Sequence, residues 1–287
     1  MLPLEAGTIV KLTVKREAPF GYFLSDDHED VLLHKNEMTR AIELGEQVEV
    51  FLYNDKLGRL AASMTIPHIQ KGTYGWVEVV GVQENLGVFI NIGLSKDILI
   101  HKDDLPKLTN VWPEVGGKLY CTLKTDRFHR LLGKIATENI MEELFIKADK
   151  KEFNKNVTGI VYRTLRTGTF IITNERYRGF IHESQRLKEP RLGSEVNGRI
   201  IDVKNDGSIN VSLLQRGHEA IDDDANKILA YLEKRGGSIP LTDNSQPDEI
   251  NQKLQMSKGA FKRALGKLMK DGKVYQKEGW TYLKDRQ

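Results

Sequence analysis

A phenylalanine and a histidine recur together three times along this chain at nearly constant spacing. Each phenylalanine stands two residues after a glycine, and thirteen or fourteen residues after that glycine an apolar run ends in the histidine. The three pairs are Phe23 with His34, Phe89 with His101, and Phe170 with His182. An exposed aromatic ring can stack on any flat base, which contributes about 1–3 kcal/mol per base. These residue types are therefore candidates for a surface that holds nucleobases.

An acidic turn begins the last strand of each repeat, and in two of the repeats it leads to an arginine. The pairs are Asp55 with Arg59 and Asp126 with Arg130, while in the third repeat Asn210 follows Asp206 at the same spacing. A guanidinium combines a permanent positive charge with a planar group that stacks, so it suits both phosphates and bases. The acidic turn thus adds a second candidate binding group to the first two repeats.

Each of these residues also has an ordinary structural explanation. A phenylalanine on a strand lies in a core more often than on a binding surface. A histidine at the end of a strand commonly caps or bends the turn that follows it. The repetition of both residues in three segments favours the binding interpretation, and a capping role is compatible with it.

Short strands must position these residues. The segments alternate with period two, are rich in Val, Ile, Thr and Phe, and are separated by glycine-containing turns. Each repeat gives the order strand, strand, strand, short helical turn, strand, strand. Five short antiparallel strands can avoid exposed sheet edges by closing into a small barrel. The sequence therefore predicts three tandem five-stranded barrels of the OB type.

The three repeats resemble the S1-type RNA-binding domain, the repeated unit of the largest protein of the small ribosomal subunit. The resemblance is carried by the Phe-Gly-x-Phe step, the apolar-apolar-His turn and the Asp-x3-Arg strand. In that family two aromatics, the histidine and the Asp/Arg pair line one face and contact RNA. The first repeat matches most fully, whereas Leu86 and Thr167 replace the first aromatic in the other two. The residues that the resemblance implies are Phe20, Phe23, His34, Arg59, Phe89, His101, Arg130, Phe170 and His182.

Charge is distributed unevenly along the chain, although the formal net charge is only +3. Residues 1–70 have a net charge of −4, residues 71–150 are neutral, residues 151–218 have +5 and residues 219–287 have +2. A polyanion would therefore prefer the C-terminal half. Arg178 is the candidate cation of the third repeat. The first repeat has the fullest aromatic face but an unfavourable charge, which favours an auxiliary role for it.

The residues after Gly217 change from period two to period 3.6. The order helix, strand, helix, helix, hairpin predicts a winged-helix domain, with acidic residues 222–224 capping the first helix and the hairpin turning at Glu278 and Gly279. Ser257 is the predicted cap of the third helix, which usually contacts nucleic acid in this fold. The candidate contacts on that helix are Lys258, Lys262, Arg263 and Lys267.

The predicted fold class is mainly β with a C-terminal α+β domain. The predicted domains are a first repeat at 1–68, a second at 69–136, a linking helix at 137–155, a third repeat at 156–217 and the winged-helix domain at 218–287. The linking helix is predicted because Ile140, Leu144 and Phe145 fall on one helical face after Thr137, which can act as N-cap.

Composition excludes several other classes of protein. With Cys121 as the only cysteine there is no internal disulfide and no cysteine-based zinc site. No apolar run approaches the roughly 20 residues that cross a bilayer, so a cytoplasmic location is expected. No phosphate-binding loop, metal-ligand motif or nucleophile motif is present. We therefore expect no enzymatic activity, no cofactor, no metal site, no membrane partner and no small-molecule substrate.

The whole chain resembles the conserved virulence factor B (CvfB) family of Gram-positive bacteria. The resemblance rests on the order of three S1-type barrels and a winged helix, and on the stretches MSKGAFKRALGKL, DDDANKI and LPKL…VWP. It implies a post-transcriptional regulator that binds single-stranded RNA through the third repeat and the winged helix. The alternatives are a winged-helix DNA-binding transcriptional regulator and a ribosome-associated or protein-binding scaffold.

Overall fold

The computed structural model describes residues 3–284, including all of their side chains except those of residues 217–220. The chain divides into two compact units, one ending at Leu213 and the other beginning at Leu214. The first unit is built from short strands and the second combines helices with a small sheet. The predicted fold class is confirmed. No helix in the described residues is long and apolar enough to cross a lipid bilayer.

The first module is a closed five-stranded barrel. Its strands are β1 (Ile9–Ala18), β2 (Gly21–Ser25), β3 (Asp30–His34), β4 (Gln47–Asn54) and β5 (Leu60–Ser63). They follow the order β1-β2-β3-β5-β4, and a short parallel pairing of β3 with β5 closes the barrel. Closure satisfies the backbone groups that an open sheet would leave unpaired at its edges.

The second module has the same strand order but no ladder across one seam. Its strands are β6 (Gly75–Gln83), β7 (Gly87–Asn91), β8 (Ile98–His101), β9 (Lys118–Thr125) and β10 (Leu131–Ile135). They form one sheet in the order β10-β9-β6-β7-β8. At the seam between β8 and β10, Ile100 packs so close to Gly133 that a Cβ there would lie 2.7 Å from an isoleucine carbon. Side-chain packing replaces backbone pairing at this seam.

The third module is again a closed barrel, with the same strand order as the first. Its strands are β11 (Asn156–Leu165), β12 (Gly168–Thr173), β13 (Arg178–His182), β14 (Glu195–Val203) and β15 (Ile209–Ser212). As in the first module, a parallel pairing, here of β13 with β15, completes the closure.

The segment before the third module is mostly not helical, so the prediction of a helix over 137–155 is wrong for most of its length. Helix α1 spans only Glu138–Glu142. Beyond it the backbone bonds to the third barrel: the amide of Ile146 donates to the Arg176 carbonyl at 3.0 Å, and that of Ala148 to the Gly207 carbonyl at 2.9 Å. These tertiary bonds outweigh the local helix preference.

The three modules pack against one another within the first unit. Phe51 and Tyr53 of the first barrel share an apolar core with residues of the second. The buried amide of Leu131 donates to Oδ1 of Asn54 at 2.9 Å, which joins the same two modules. The segment between β8 and β9 reaches the third module, because the amide of Leu192 donates to the carbonyl of Val111 at 2.9 Å.

A glycine sets the register between the second and third strands of every module. Each of these glycines is paired with the strand-end histidine of its module; the pairs are Gly21 with His34, Gly87 with His101, and Gly168 with His182. A Cβ at Gly87 would lie 2.0 Å from the carbonyl oxygen of Ile100, and the residue has a φ of 140°. The strands can approach this closely only where no side chain is present.

The second unit is a winged helix. Its elements are α2 (Gly217–Lys234), β16 (Ser238–Ile239), α3 (Pro247–Leu254), α4 (Lys258–Lys270), β17 (Val274–Lys277) and β18 (Trp280–Leu283). Helix α2 begins before the three aspartates that were predicted to cap it, so that prediction is wrong. The core of the second unit contains Leu232, Ile250 and Phe261, all fully buried. The two-residue hairpin turn at Glu278 and Gly279 is confirmed by the pairing of Lys277 with Trp280.

Replacing Gly87 by alanine tests the register constraint. We expect a loss of about 2–5 kcal/mol in the free energy of unfolding, because backbone strain and a clash with a carbonyl add together. Urea unfolding of the full chain measures it. Gly93→Ala is the control, since Gly93 has a φ of 93° but open space around it. Equal losses in both variants would show that strain alone matters.

Candidate nucleic-acid interface

The three strand-end histidines cap the helical turn that follows each of them. Nδ1 of His34 accepts from the amide of Asn36 at 3.1 Å, and the equivalent bonds of His101 and His182 measure 3.3 and 3.2 Å. In this arrangement Nδ1 acts as the acceptor for the turn amide. Within the described residues Nε2 of these rings makes no hydrogen bond, so it is the nitrogen that can contact a ligand.

The aspartates of the acidic turns hold the turn itself. Oδ1 of Asp55 accepts from the amides of Leu57 and Arg59, at 2.8 and 3.0 Å. Its Oδ2 binds the Arg59 guanidinium at 2.7 Å. Although partial burial raises the pKa of Asp55, these hydrogen bonds keep it below its usual value. The aspartate is thus a scaffold that orients the arginine, and Asp126 orients Arg130 in the same way, with an ion pair of 2.7 Å.

The first module presents two aromatic rings beside an arginine. Phe20, which is 48% exposed, meets Phe23 edge-to-face at 6.3 Å between ring centroids. The guanidinium carbon of Arg16 lies 3.5 Å from the centre of the Phe23 ring. Arg16 is placed there by an irregularity in β1 that pairs it with Phe23. One face of this ring is therefore occupied by the protein's own cation.

The second module has an aromatic that sequence reasoning missed. Phe128 lies in the turn between β9 and β10 and is 62% exposed. It lines one groove, of about 790 Å³, together with Phe89, His101 and Arg130. Leu86, at the position of the missing first aromatic, lines the same groove. The turn sequence DRFHR contains the phenylalanine, but the repeated motif specifies only its Asp and Arg positions.

The third module also has a second aromatic where none was expected. Phe180 of β13 pairs with Phe170 of β12, and their ring centroids are 5.0 Å apart. Leu32 and Leu99 occupy the same register position in the other two modules, opposite their own phenylalanines. Comparison of the three apolar-apolar-His runs could have identified Phe180. This barrel face is therefore richer in aromatics than its motif match indicated.

Arg178 is held by an acidic residue of the preceding segment rather than being a free cation. Its Nη2 binds Oε1 of Glu138 at 2.7 Å, and Nη1 of Arg163 binds the other carboxylate oxygen at 3.0 Å. The Tyr162 hydroxyl donates to Glu138 at 3.0 Å. The Arg178 guanidinium also lies 4.9 Å from the centre of the Phe170 ring. Glu138 thus neutralises part of the charge that composition assigns to this module.

A groove of about 350 Å³ opens beside Phe180. His182, Lys204 and Asn210 line it, and none of its lining residues is acidic. Nζ of Lys204 lies 6.0 Å from the centre of the Phe180 ring. Oδ1 of Asn210 is buried and lacks a hydrogen-bond partner among the described residues. The groove combines a ring face, a lysine and an unused acceptor.

The candidate cations of α4 differ in their environments. Lys262 and Arg263 are exposed, while Lys258 is partly buried. Lys267 forms an ion pair with Asp222 of α2, so its charge is compensated inside the domain. The buried side of α4 consists of Phe261, Ala264, Leu265 and Leu268, which leaves the cations on the opposite side.

Four models of protein families match successive parts of the chain. They are described as S1 domain (residues 6–65), CvfB first S1-like domain (74–134), Virulence regulatory factor CvfB, second domain (141–215), and CvfB-like winged helix domain (226–283). The protein named Conserved virulence factor B of Staphylococcus epidermidis is 38% identical over 269 residues, covering 90% of each chain. The chain belongs to the CvfB family.

Two further relatives match nearly the whole length of this chain. Uncharacterized protein YitL of Bacillus subtilis is 51% identical over 281 residues, which are 98% of this chain and 94% of that protein. A crystal structure of a multidomain protein with nucleic acid binding domains from Streptococcus pneumoniae is 36% identical, with a TM-score of 0.66, and covers 97% of this chain and 98% of that one. The predicted family is confirmed.

The Glu138 network predicts a dependence of stability on pH. Burial raises the pKa of Glu138, but hydrogen bonds from Arg163, Arg178 and Tyr162 bring it below its usual value. A carboxylate with a lowered pKa stabilises the fold above its unfolded pKa of about 4.3, and this contribution disappears as pH falls through the folded pKa. Glu138→Gln should therefore be destabilising at pH 7 and progressively less so below about pH 4.3.

Urea unfolding at several pH values between 7 and 3 measures this difference. Glu142→Gln is the control, because Glu142 lies exposed on the same short helix. Contributions from other carboxylates are common to the variants and cancel in the comparison. A difference between the Glu138 variant and the unmodified chain that stays constant with pH would contradict the role of Glu138 as a charged anchor.

Proposed function

We propose that this protein binds single-stranded RNA without catalysis and acts as a post-transcriptional regulator in the cytoplasm. One observation carries the proposal: the face of the third barrel on which Phe170 and Phe180 pair across β12 and β13. Lys204 and His182 border this face, and no acidic residue lines the groove beside it. Ring faces bind bases and the cation attracts the phosphate backbone.

The geometry favours a single strand over a duplex. Rings that lie on a barrel face can stack only with bases that are unpaired and unstacked, and such bases are what RNA-binding modules of this size generally recognise. RNA rather than DNA is favoured by the S1-like character of the modules. The S. pneumoniae relative is described as having nucleic acid binding domains, and the staphylococcal relatives as virulence factors, which supports a regulatory role.

The first two modules have grooves of their own. Their grooves share Asp55, Lys56 and Lys96 as lining residues, so the two grooves adjoin. Both grooves contain aspartates as well as cations, unlike the groove of the third module. We therefore assign the main RNA contact of the first unit to the third module and an auxiliary role to the others.

Replacing Phe180 by leucine, the residue at this position in the first two modules, tests the proposal. We expect affinity for a mixed-sequence single-stranded RNA to fall by about fivefold or more, because one stacking surface is lost. Phe180→Tyr should remain within about twofold of the unmodified chain, since it keeps the ring. Fluorescence anisotropy at several salt concentrations measures both.

Lys204→Glu should weaken binding and lower the salt dependence by about 0.7 in the logarithmic slope, the value for one phosphate contact on a single strand. Lys188→Glu is the control, because Lys188 is exposed in the same module but does not line the groove. Equal effects of the two lysine variants would attribute binding to general charge. Unchanged affinity in both Phe180→Leu and Lys204→Glu would refute this face as the RNA site.

A second candidate function is duplex DNA binding by α4. The observation in its favour is that Gly259 and Gly266 place no side chain on the exposed side of α4. The exposed cations Lys262, Arg263 and Lys270 lie near these glycines in the helix, and no atom lies within 4 Å of a Cβ built at Gly266. A helix with such a surface can approach the wall of a major groove closely.

The double variant Lys262→Glu and Arg263→Glu separates the two functions. If α4 binds duplex DNA, duplex affinity should fall at least tenfold, since two phosphate contacts become repulsive, while single-stranded RNA affinity stays within about twofold. Lys253→Glu on α3 is the matched charge reversal. A chain that binds a DNA duplex no better than unpaired DNA would exclude this candidate.

A further inference from the structure

The C-terminal hairpin has an outer face composed only of aromatic and basic side chains. Residues alternate between the two faces of a strand, and in β17 and β18 Val274 and Thr281 point inward, 3% and 0% exposed. The residues at the alternate positions of both strands point to the opposite, outer face. They are Lys273, Tyr275 and Lys277 on one side of the hairpin and Trp280, Tyr282 and Lys284 on the other.

Strand pairing arranges these six residues as three cross-strand pairs. Tyr275 lies opposite Tyr282, and their rings are stacked, with centroids 5.2 Å apart and planes inclined by 18°. Lys277 lies opposite Trp280 next to the turn. At the other end, the amide of Lys284 donates to the carbonyl of Lys273 at 2.9 Å. The stacked tyrosine pair and Trp280 thus share one face of the hairpin, with lysines at both ends.

These rings are more exposed than the packing of the domain requires. Tyr275 is 45% exposed and Trp280 is 41% exposed, although the domain has its own apolar core beneath the sheet. Contiguous exposed apolar groups on a folded domain usually mark an interaction site. The rings contribute nothing to the apolar core cluster, so their retention on the surface needs another explanation.

Charge identifies the partner. The only acidic residue in the hairpin between Lys273 and Lys284 is Glu278, in the turn. Its contact with Lys277 is long, at 3.9 Å, and both side chains are largely exposed. The face is therefore positive, and flat rings between cations suit a chain that alternates bases with phosphates. Protein–protein interfaces are depleted in lysine, whereas three of the six residues on this face are lysines.

We propose that this outer hairpin face is a second binding surface for single-stranded RNA, separate from the third barrel and from the exposed side of α4. Unpaired bases stack on Tyr275, Tyr282 and Trp280, and the lysines at both ends contact the phosphates. The proposal rests on the proposed function in requiring that the chain binds RNA. It adds a different set of contacts, on the strands of the winged helix rather than on its third helix.

Pairs of variants in the full chain test whether the rings act by stacking. Trp280→Leu keeps apolar volume but removes the ring, whereas Trp280→Phe keeps a ring. We expect the leucine variant to lower the affinity for a mixed-sequence single-stranded RNA at least about fivefold and the phenylalanine variant to remain within about twofold. Tyr275→Leu and Tyr275→Phe form a second pair. Equal affinities of the leucine and phenylalanine variants would overturn the stacking role.

Cross-linking of the unmodified chain gives a readout that does not depend on the folding of any variant. Single-stranded RNA containing 4-thiouridine is irradiated with the protein and the linked peptides are mapped by mass spectrometry. We expect links to Tyr275, Trp280 or Tyr282, as well as to Phe170 or Phe180. Links confined to the barrel would overturn the hairpin site and leave the proposed function intact. No RNA binding by the unmodified chain would remove both.

Sedimentation of the same variants distinguishes a protein partner. If the hairpin face joined two copies of this chain, the unmodified protein would sediment as a dimer and Trp280→Leu as a monomer, with RNA affinity unchanged. That outcome would overturn the proposal. A single sedimenting species common to all variants, combined with the loss of RNA affinity in the leucine pair, supports it.

Discussion

The close approach of β2 to β3, and of its counterparts in the other modules, is the constraint on which each barrel face depends. A side chain at Gly21, Gly87 or Gly168 would collide with a backbone carbonyl of the neighbouring strand. With the glycine opposite the strand-end histidine, period-two alternation leaves only one arrangement for the residues that follow. The phenylalanine two positions later must face the outside, opposite the residue two positions before the histidine.

This constraint explains why the two halves of the sequence motif occur together. The glycine and the histidine are paired partners across one ladder, not independent markers. The histidine then ends the strand by accepting an amide hydrogen bond from the turn. Its other nitrogen remains at the border of the same face as the phenylalanine. The same few residues therefore meet a structural requirement and form the candidate binding surface, which is why neither interpretation of the histidines excluded the other.

The fold was largely predictable because its signals are local and repeated. Strand alternation, turn glycines and the helical period after Gly217 each depend on neighbouring residues only. The prediction of the linking helix was wrong for the opposite reason. The amides of Ile146 and Ala148 donate hydrogen bonds to carbonyls about 30 and 60 positions away, and no local sequence pattern indicates such bonds. Phe128 and Phe180 lie at positions where the family motif specifies no aromatic. Aligning the three apolar-apolar-His runs would find Phe180, but only the structure shows that Phe128 lines the same groove as Phe89.

The net charge of each segment was the least reliable of the sequence arguments, because it counts charged residues without regard to their ion-pair partners. The third module has the largest positive sum, yet Glu138, which lies outside the predicted repeat, binds both Arg163 and Arg178. Lys267 is compensated in the same way by Asp222. The cations that remain available include Lys204 in the groove of the third module, Lys262 and Arg263 on α4, and the lysines of the C-terminal hairpin. The charge argument for the C-terminal half therefore rests on fewer cations than the sum suggests.

The arginines that are compensated need not be lost to binding. Arg16 lies on Phe23 at 3.5 Å, and Arg178 lies on Phe170 while Glu138 holds its guanidinium. In the second module Gly81 stands opposite Phe89 instead of an arginine. A guanidinium fixed in place loses little conformational entropy when a ligand arrives. The first and third modules therefore hold an arginine against the phenylalanine of the Gly-x-Phe step. In the second module the guanidinium groups of Arg127 and Arg130 lie instead near Phe128, at 4.7 and 5.4 Å from the centre of its ring. Three faces built on one register can thus differ in affinity without any change of fold.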